Sequence, residues 1–230
     1  MIFVVIKCKE NHMNKGLFLP CGEYDFIASL GKKCQPAGRL KRFGLRTFSG
    51  PFDWFASQKL PQVTKIINKG CDHLFLPENI KINGRFKNCI DITDTATGFR
   101  SIHDILIDDY EKQGIEVCLF NMMKKIKARR KRFIEKINES ERVLLVRLNA
   151  ERDAVYKLRS VLDKKFPTTK IDLLIFKERK GEDLCNIDFD MPDTYVVSGD
   201  NEPTNDEWLG SDQAWKIMLS SVKIRTYYSS

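Results

Sequence analysis

The stretch from Glu141 to Lys177 constrains the fold most. "RVLLVRL" and "KIDLLIFK" are apolar runs of strand length. Between them "ERDAVYKLRSVLDKKF" places Ala154, Val155, Leu158, Val161 and Leu162 on one helical stripe, with Phe166 one turn beyond. A strand, an amphipathic helix and a second strand make a crossover unit, and such units join parallel neighbours.

The rest of the chain extends this pattern. Tyr24 to Leu30 reads as a buried strand. Gln35 to Phe43 reads as a helix with Pro36 in its first turn, where a missing amide costs nothing. Ala37, Leu40 and Phe43 share a face of that helix, and Gly44 ends it. A second helix over Leu60–Asn68 turns Val63, Ile66 and Ile67 inward. Residues 70–100 carry little periodic signal and read as loops and short strands, and 102–110 is ambiguous. "DTYVVSGD" (193–200) suggests another strand, and Trp208, Leu209, Trp215, Met218, Leu219 and Val222 a closing helix. The expectation is an α/β fold: three layers, with a mostly parallel central sheet flanked by helices, Rossmann-like or SGNH-hydrolase-like. Residues 1–22 read as an N-terminal extension, with a β-prone "MIFVVIKCK", and 23–230 as a single α/β domain.

Composition narrows the function classes. With 42% hydrophobic and 30% charged residues, the 230-residue chain reads as globular rather than disordered. No apolar stretch approaches the length of a membrane span, and "MIFVVIK" is too short for a signal-peptide core. The expected localisation is cytoplasmic. Seven cysteines, an odd number with no C-x-x-C spacing, point to reduced thiols rather than a disulfide framework or a metal site. No G-x-G-x-x-G or P-loop spacing calls for a nucleotide, so no cofactor is expected. The net charge of +8 includes the run "KKIKARRKR" (124–132), which suits a nucleic-acid or anionic-membrane surface. Phe120, Met123, Ile126, Phe133, Ile134 and Ile137 recur through it at helical spacing, so the cations read as the solvated face of an amphipathic helix. No stacking-aromatic motif supports nucleic acid as a partner.

Cys34 is the residue that stands apart. It follows a strand and opens a helix, and sites in such sheets form where strands end and helices begin. The unsatisfied amides of a helix start favour an anion and so favour the thiolate, and Lys32 and Lys33 add positive charge. A nucleophilic thiol needs a base. His12 lies in the polar extension, and His73 in "GCDHLFL" adjoins an apolar run. His103 in "SIHDIL" has a carboxylate neighbour and is the best base candidate.

"SLGKKCQPAGRLKRFGLRTFSGPFDWF" (29–55) closely resembles the signature of a bacterial and viral family described as putative papain-like cysteine peptidases: a strand, S-L-G-x-x-C, a helix, then P-F-D-W. The likeness continues more loosely through His103-Asp104, "VLLVRLN" and "IDLLIF", over roughly residues 24–220. It implies a Cys–His hydrolase without metal or cofactor, with Cys34 as nucleophile and His103 as base, acting on a peptide or another acyl substrate. Asp53, in the P-F-D-W loop, or Asp104 would orient the imidazole, Asp53 being preferred. Backbone amides from Gly31 to Gln35, with the Gln35 side chain, would meet an oxyanion, and Trp54 would lie against the site. The chain departs from the family pattern at Lys33, where relatives commonly carry Asn. Its crossover unit looks closer to a Rossmann-like or SGNH-hydrolase-like sheet than to papain. The alternative is a Rossmann-like transferase or binding module linked to surface-polysaccharide synthesis, with Cys34 structural. A third reading is a nucleic-acid or membrane-surface protein using Lys124–Arg132.

Overall fold

Parallel pairing of the two apolar runs organises the molecule. A computed structural model describes residues 16–203 and 208–226. In chain order the elements are β1 (Gly22–Tyr24), β2 (Phe26–Ser29), α1 (Gln35–Arg42), β3 (Phe55–Ser57), α2 (Leu60–Lys69), β4 (Ile80–Phe86), β5 (Cys89–Asp94), β6 (Phe99–Ser101), α3 (Ile107–Asn138), β7 (Arg142–Leu148), α4 (Arg152–Lys165), β8 (Lys170–Glu178), β9 (Cys185–Asn186), β10 (Thr194–Gly199), α5 (Asp212–Leu219) and β11 (Val222–Ile224). The central sheet has the order β2-β7-β8-β10-β9. Its first four strands are parallel, with Phe26 opposite Val143 and Val143 opposite Ile171, and β9 closes one edge antiparallel. The structure is thus a mixed α/β fold with a mostly parallel five-stranded sheet.

Side-chain alternation sorts the core onto two faces of that sheet. Phe26, Val143, Leu145, Leu173 and Ile175 join one apolar cluster with residues of α2, α3 and α4. Ile27, Leu144, Val146, Leu174 and Phe176 join the other with Leu40 of α1 and Trp215 and Met218 of α5. Apolar residues at every position of "VLLV" reflect burial on both faces. Fully burying each such side chain stabilises the fold by about 1.5–3 kcal/mol.

Several elements differ from the sequence expectation. The single strand expected over Tyr24–Leu30 is two. Asp25 breaks it, because its carboxylate accepts from the amides of Glu141 and Arg142, at 2.9 and 2.8 Å, and pairs with Arg225. β1 then pairs with β11, not with the main sheet. Residues 80–101 form a β4-β5-β6 meander, to which β3 adds in the order β3-β6-β5-β4. The α3 helix is interrupted at Gly114 (φ 76°, ψ 169°). Its buried face is Cys118, Leu119, Met122, Ile126, Phe133 and Ile137, while Phe120, expected inward, is 71% exposed. The closing helix begins only at Asp212, leaving Trp208 outside it. The β-prone stretch at residues 1–9, Cys8 and His12 lie outside the described residues.

Cys34, Cys71, Cys89, Cys118 and Cys185 are free thiols. Cys21 is disulfide-bonded, a departure from all-reduced cysteines that spacing alone does not announce. Among the described residues no helix is long and apolar enough to cross a membrane, and no group of three or more His, Cys, Asp or Glu is placed to hold a metal ion.

Candidate active site

The loop from Ser29 to Cys34 leaves the carboxyl end of β2 through a turn made of hydroxyls. The Gly31 amide donates to Ser29 Oγ at 2.9 Å, and the Lys32 amide donates to Ser57 Oγ at 3.0 Å. Gly31 takes φ 76°, and a Cβ there would lie 2.8 Å from Ser57 Oγ and 2.9 Å from the Phe52 carbonyl, so only glycine fits. Lys32 also has positive φ, at 79°, a conformation that neighbouring contacts must impose on a side chain of this size. Those contacts come from β3 and β7. Ser57 donates its amide to the Lys32 carbonyl at 3.1 Å. Buried Arg147 donates to the Leu30 carbonyl at 2.7 Å and to the Ser57 hydroxyl at 2.9 Å and carbonyl at 2.6 Å.

Past this turn Cys34 caps α1, with Pro36 in the first helical turn as expected. The thiol opens onto a cavity of about 550 Å³ at the carboxyl end of the parallel strands. Lys33, Cys34, Gln35, Trp54 and His103 all line it. Phe86, Lys87 and Ile102 contribute from the meander and its connections, Glu178 from the end of β8, and Asn201, Trp208 and Gly210 from beyond β10. His103, which lies 69 positions after Cys34 in the sequence, thus faces the same space as the thiol. His73 is not among the lining residues.

The electrostatics of the thiol differ from the helix-start argument. Burial pushes the Cys34 thiol above its ordinary value, and the negative charges of Asp104 and Asp53 push it the same way. Its own backbone amide opposes this by more than either carboxylate adds, though by less than burial, and the side chain makes no capping hydrogen bond to the helix. Lys33 is drawn off to Glu178, with Nζ 3.5 Å from Oε1. Desolvation therefore outweighs the helix start, and the resting residue is a thiol.

The remaining sequence candidates separate by location. His103 is exposed, with its ring edge-on to Trp54 at 6.0 Å and to Phe86 at 6.4 Å. It makes no hydrogen bond or ion pair among the described residues, so neither Asp53 nor Asp104 is bonded to it. Asp53 is buried and accepts from Arg46 Nη1 at 2.7 Å and from the Gly50 amide at 2.9 Å. Its other oxygen has no partner among the described residues, and desolvation pushes its carboxyl up. Asp104 accepts from Ser101 Oγ at 2.6 Å and lies 3.9 Å from Arg129. The Gln35 amide nitrogen is spent on the Leu209 carbonyl at 2.5 Å and Asn201 Oδ1 at 3.2 Å. The Gly31 amide is likewise spent, on Ser29.

Three polar residues of the cavity region carry no motif in the sequence: Asn149, Glu178 and Asn201. Each stands at or just past the carboxyl end of a parallel strand, the position that would have flagged them. Glu178 Oε1 accepts from Asn201 Nδ2 at 2.9 Å and Oε2 from Asn149 Nδ2 at 2.5 Å. Asn201 Oδ1 also accepts from Trp215 Nε1 and the Ser211 amide, which ties α5 to the cavity wall.

Comparison with known proteins adds one match. Residues 25–170, more than half of the chain, match the model of a family described as "putative papain-like cysteine peptidase". No curated protein and no solved structure matches the chain.

Proposed function

The chain belongs to the family of putative papain-like cysteine peptidases, and from that premise we propose that it is a thiol hydrolase in which Cys34 attacks an acyl carbon and His103 serves as the base. The observation that carries this reading is the meeting of Cys34 and His103 on one cavity at the carboxyl edge of the parallel strands. Because the thiol is held above its ordinary range, proton removal accompanies attack instead of preceding it. The imidazole takes the Sγ proton as sulfur bonds to the carbonyl carbon, then returns it to the leaving amine or alkoxide as the old bond breaks. Water hydrolyses the thioester, giving up a proton to the same imidazole, and Cys34 is restored.

The backbone supports the rest of this chemistry. With the Gly31 and Lys32 amides and the Gln35 side chain committed, the amides at the start of α1 are the donors left to meet an oxyanion. The edges of Trp54 and Phe86 orient the imidazole in this reading, while Asp53 holds its loop through Arg46 and Gly50. The fold behind the site is nearer to a Rossmann-like or SGNH-hydrolase-like sheet, where the nucleophile follows an early parallel strand, than to papain. "Papain-like" then describes the residues and not the architecture.

The decisive experiment is activity-based profiling with peptide, ester and thioester electrophiles on wild type, Cys34→Ser and His103→Ala. Wild type should form an adduct at Cys34 and turn over at least one class, and both variants should lose turnover by at least about a hundredfold. Turnover retained in Cys34→Ser would sink the assignment.

A further inference from the structure

Resting on the peptidase reading, we propose that the outer edge of β4 is a docking strand for an extended acidic peptide, which it leads into the Cys34–His103 cavity. β4 is the terminal strand of its sheet, and all its residues after Ile80 are exposed, including Ile82 and Phe86. Its backbone pairs with β5 alone, and among the described residues no main-chain hydrogen bond reaches the opposite edge. An unpaired row of amides and carbonyls is a template for one more strand. Seven residues at about 3.4 Å each extend over roughly 24 Å, enough to fix the direction of a peptide.

The strand also points at the chemistry. It ends at Phe86, whose ring meets His103, and the next residue is Lys87; both line the cavity. A peptide paired along β4 is therefore led toward Phe86 and Lys87, two residues of the cavity wall, at the hairpin end. Charge selects the occupant. Lys81 and Lys87 have no ion-pair partner among the described residues, and Arg85 has only the exposed Glu111. The carboxylate of Asp91, on the neighbouring strand, is taken up by Arg100 and Asn83. This positive edge, with a register shift between Ile82 and Gly84, repels a second copy of β4 while attracting an acidic segment.

The test uses the full chain carrying Cys34→Ser and a fluorescein-labelled, acetylated heptapeptide ETVDVTE, with binding read by anisotropy. N-methylation is introduced at one peptide amide at a time. Strand addition predicts alternation: methylation at every second amide weakens binding about tenfold or more, while the intervening positions tolerate it. Adding Lys81→Glu and Lys87→Glu should weaken binding by a similar factor, with thermal unfolding confirming that the variant folds. Absence of binding, methylation effects without alternation, indifference to charge reversal, or dimerisation of the chain through β4 would each overturn the proposal. Cleavage assays with wild type keep the two readings apart. Alternating binding without cleavage upholds the docking strand and rejects the peptidase. Cleavage that depends on Cys34, without alternation, upholds the peptidase and rejects the docking strand.

Discussion

Arg147 Nη2 lies 2.6 Å from the main-chain oxygen of Ser57, and no carboxylate among the described residues shares that guanidinium. Burial alone pushes its pKa down to about 10, so the charge is held against a desolvation cost by three hydrogen bonds to Leu30 and Ser57. Those bonds set the turn that delivers Cys34. Arg147→Met removes the costly charge but strands buried carbonyls, at about 1–3 kcal/mol each. The expected net loss, from urea unfolding, is about 1–3 kcal/mol, together with altered alkylation kinetics at Cys34. Unchanged kinetics would show that the turn does not depend on this residue.

Gly31 and Gly44 form a matched pair for backbone effects. Both have positive φ, at 76° and 69°, but a Cβ at Gly44 meets nothing within 4 Å, whereas one at Gly31 collides with Ser57 and Phe52. Gly44→Ala should cost about 1 kcal/mol from the dihedral alone. Gly31→Ala should cost at least about 2–3 kcal/mol more, since backbone and not a flexible side chain must yield. Equal melting temperatures for the two variants would contradict the tight packing under the cysteine.

The Cys34 thiol should alkylate more slowly than free glutathione near neutral pH. Its profile against pH should rise only above the ordinary thiol range, as peptide mapping after iodoacetamide would show. The negative charge of Asp104 opposes the thiolate, so removing it stabilises the charged form. Asp104→Asn keeps an acceptor for Ser101 and should move the profile to lower pH. A shift to higher pH would mean that Asp104 acts on the thiol in some other way.

Asn201 joins buried Gln35 and Trp215 and half-buried Glu178 and Ser211 in one hydrogen-bonded group. Asn201→Ala leaves the Trp215 indole N–H and the Gln35 amide short of partners, at about 1–3 kcal/mol per buried group. A loss of about 2–4 kcal/mol in chemical unfolding is expected, with weaker substrate binding because the Glu178 side of the wall is released. A loss below about 0.5 kcal/mol would place water, and not Asn201, at the centre of this group.

The order in which these features became visible follows their range along the chain. Local periodicity sufficed for α1, α2, α4 and the strands β7 and β8, because each buries a stripe that its own residues define. It failed at Tyr24–Leu30, where Asp25 looks like a strand residue until the amides of Glu141 and Arg142 are seen beside it. It also failed at Phe120, which is exposed although Met123, Ile126, Phe133, Ile134 and Ile137 of the same expected stripe are buried or packed against the core.

For the site, the sequence by itself determined the place of Cys34: a glycine turn, then a proline-bearing helix start after an apolar strand. It also nominated His103, the histidine with the weakest packing pattern. Only the tertiary structure decided that His103 shares a cavity with the thiol, that Arg147 and Ser57 hold the turn, and that Glu178 and Asn201 form the facing wall. It also reversed the expected effect on the thiol. A helix start and adjacent lysines are local and favour an anion, but desolvation and the carboxylates of Asp53 and Asp104 depend on how distant segments pack. Burial is a property of the assembled fold, and at Cys34 it is the larger effect.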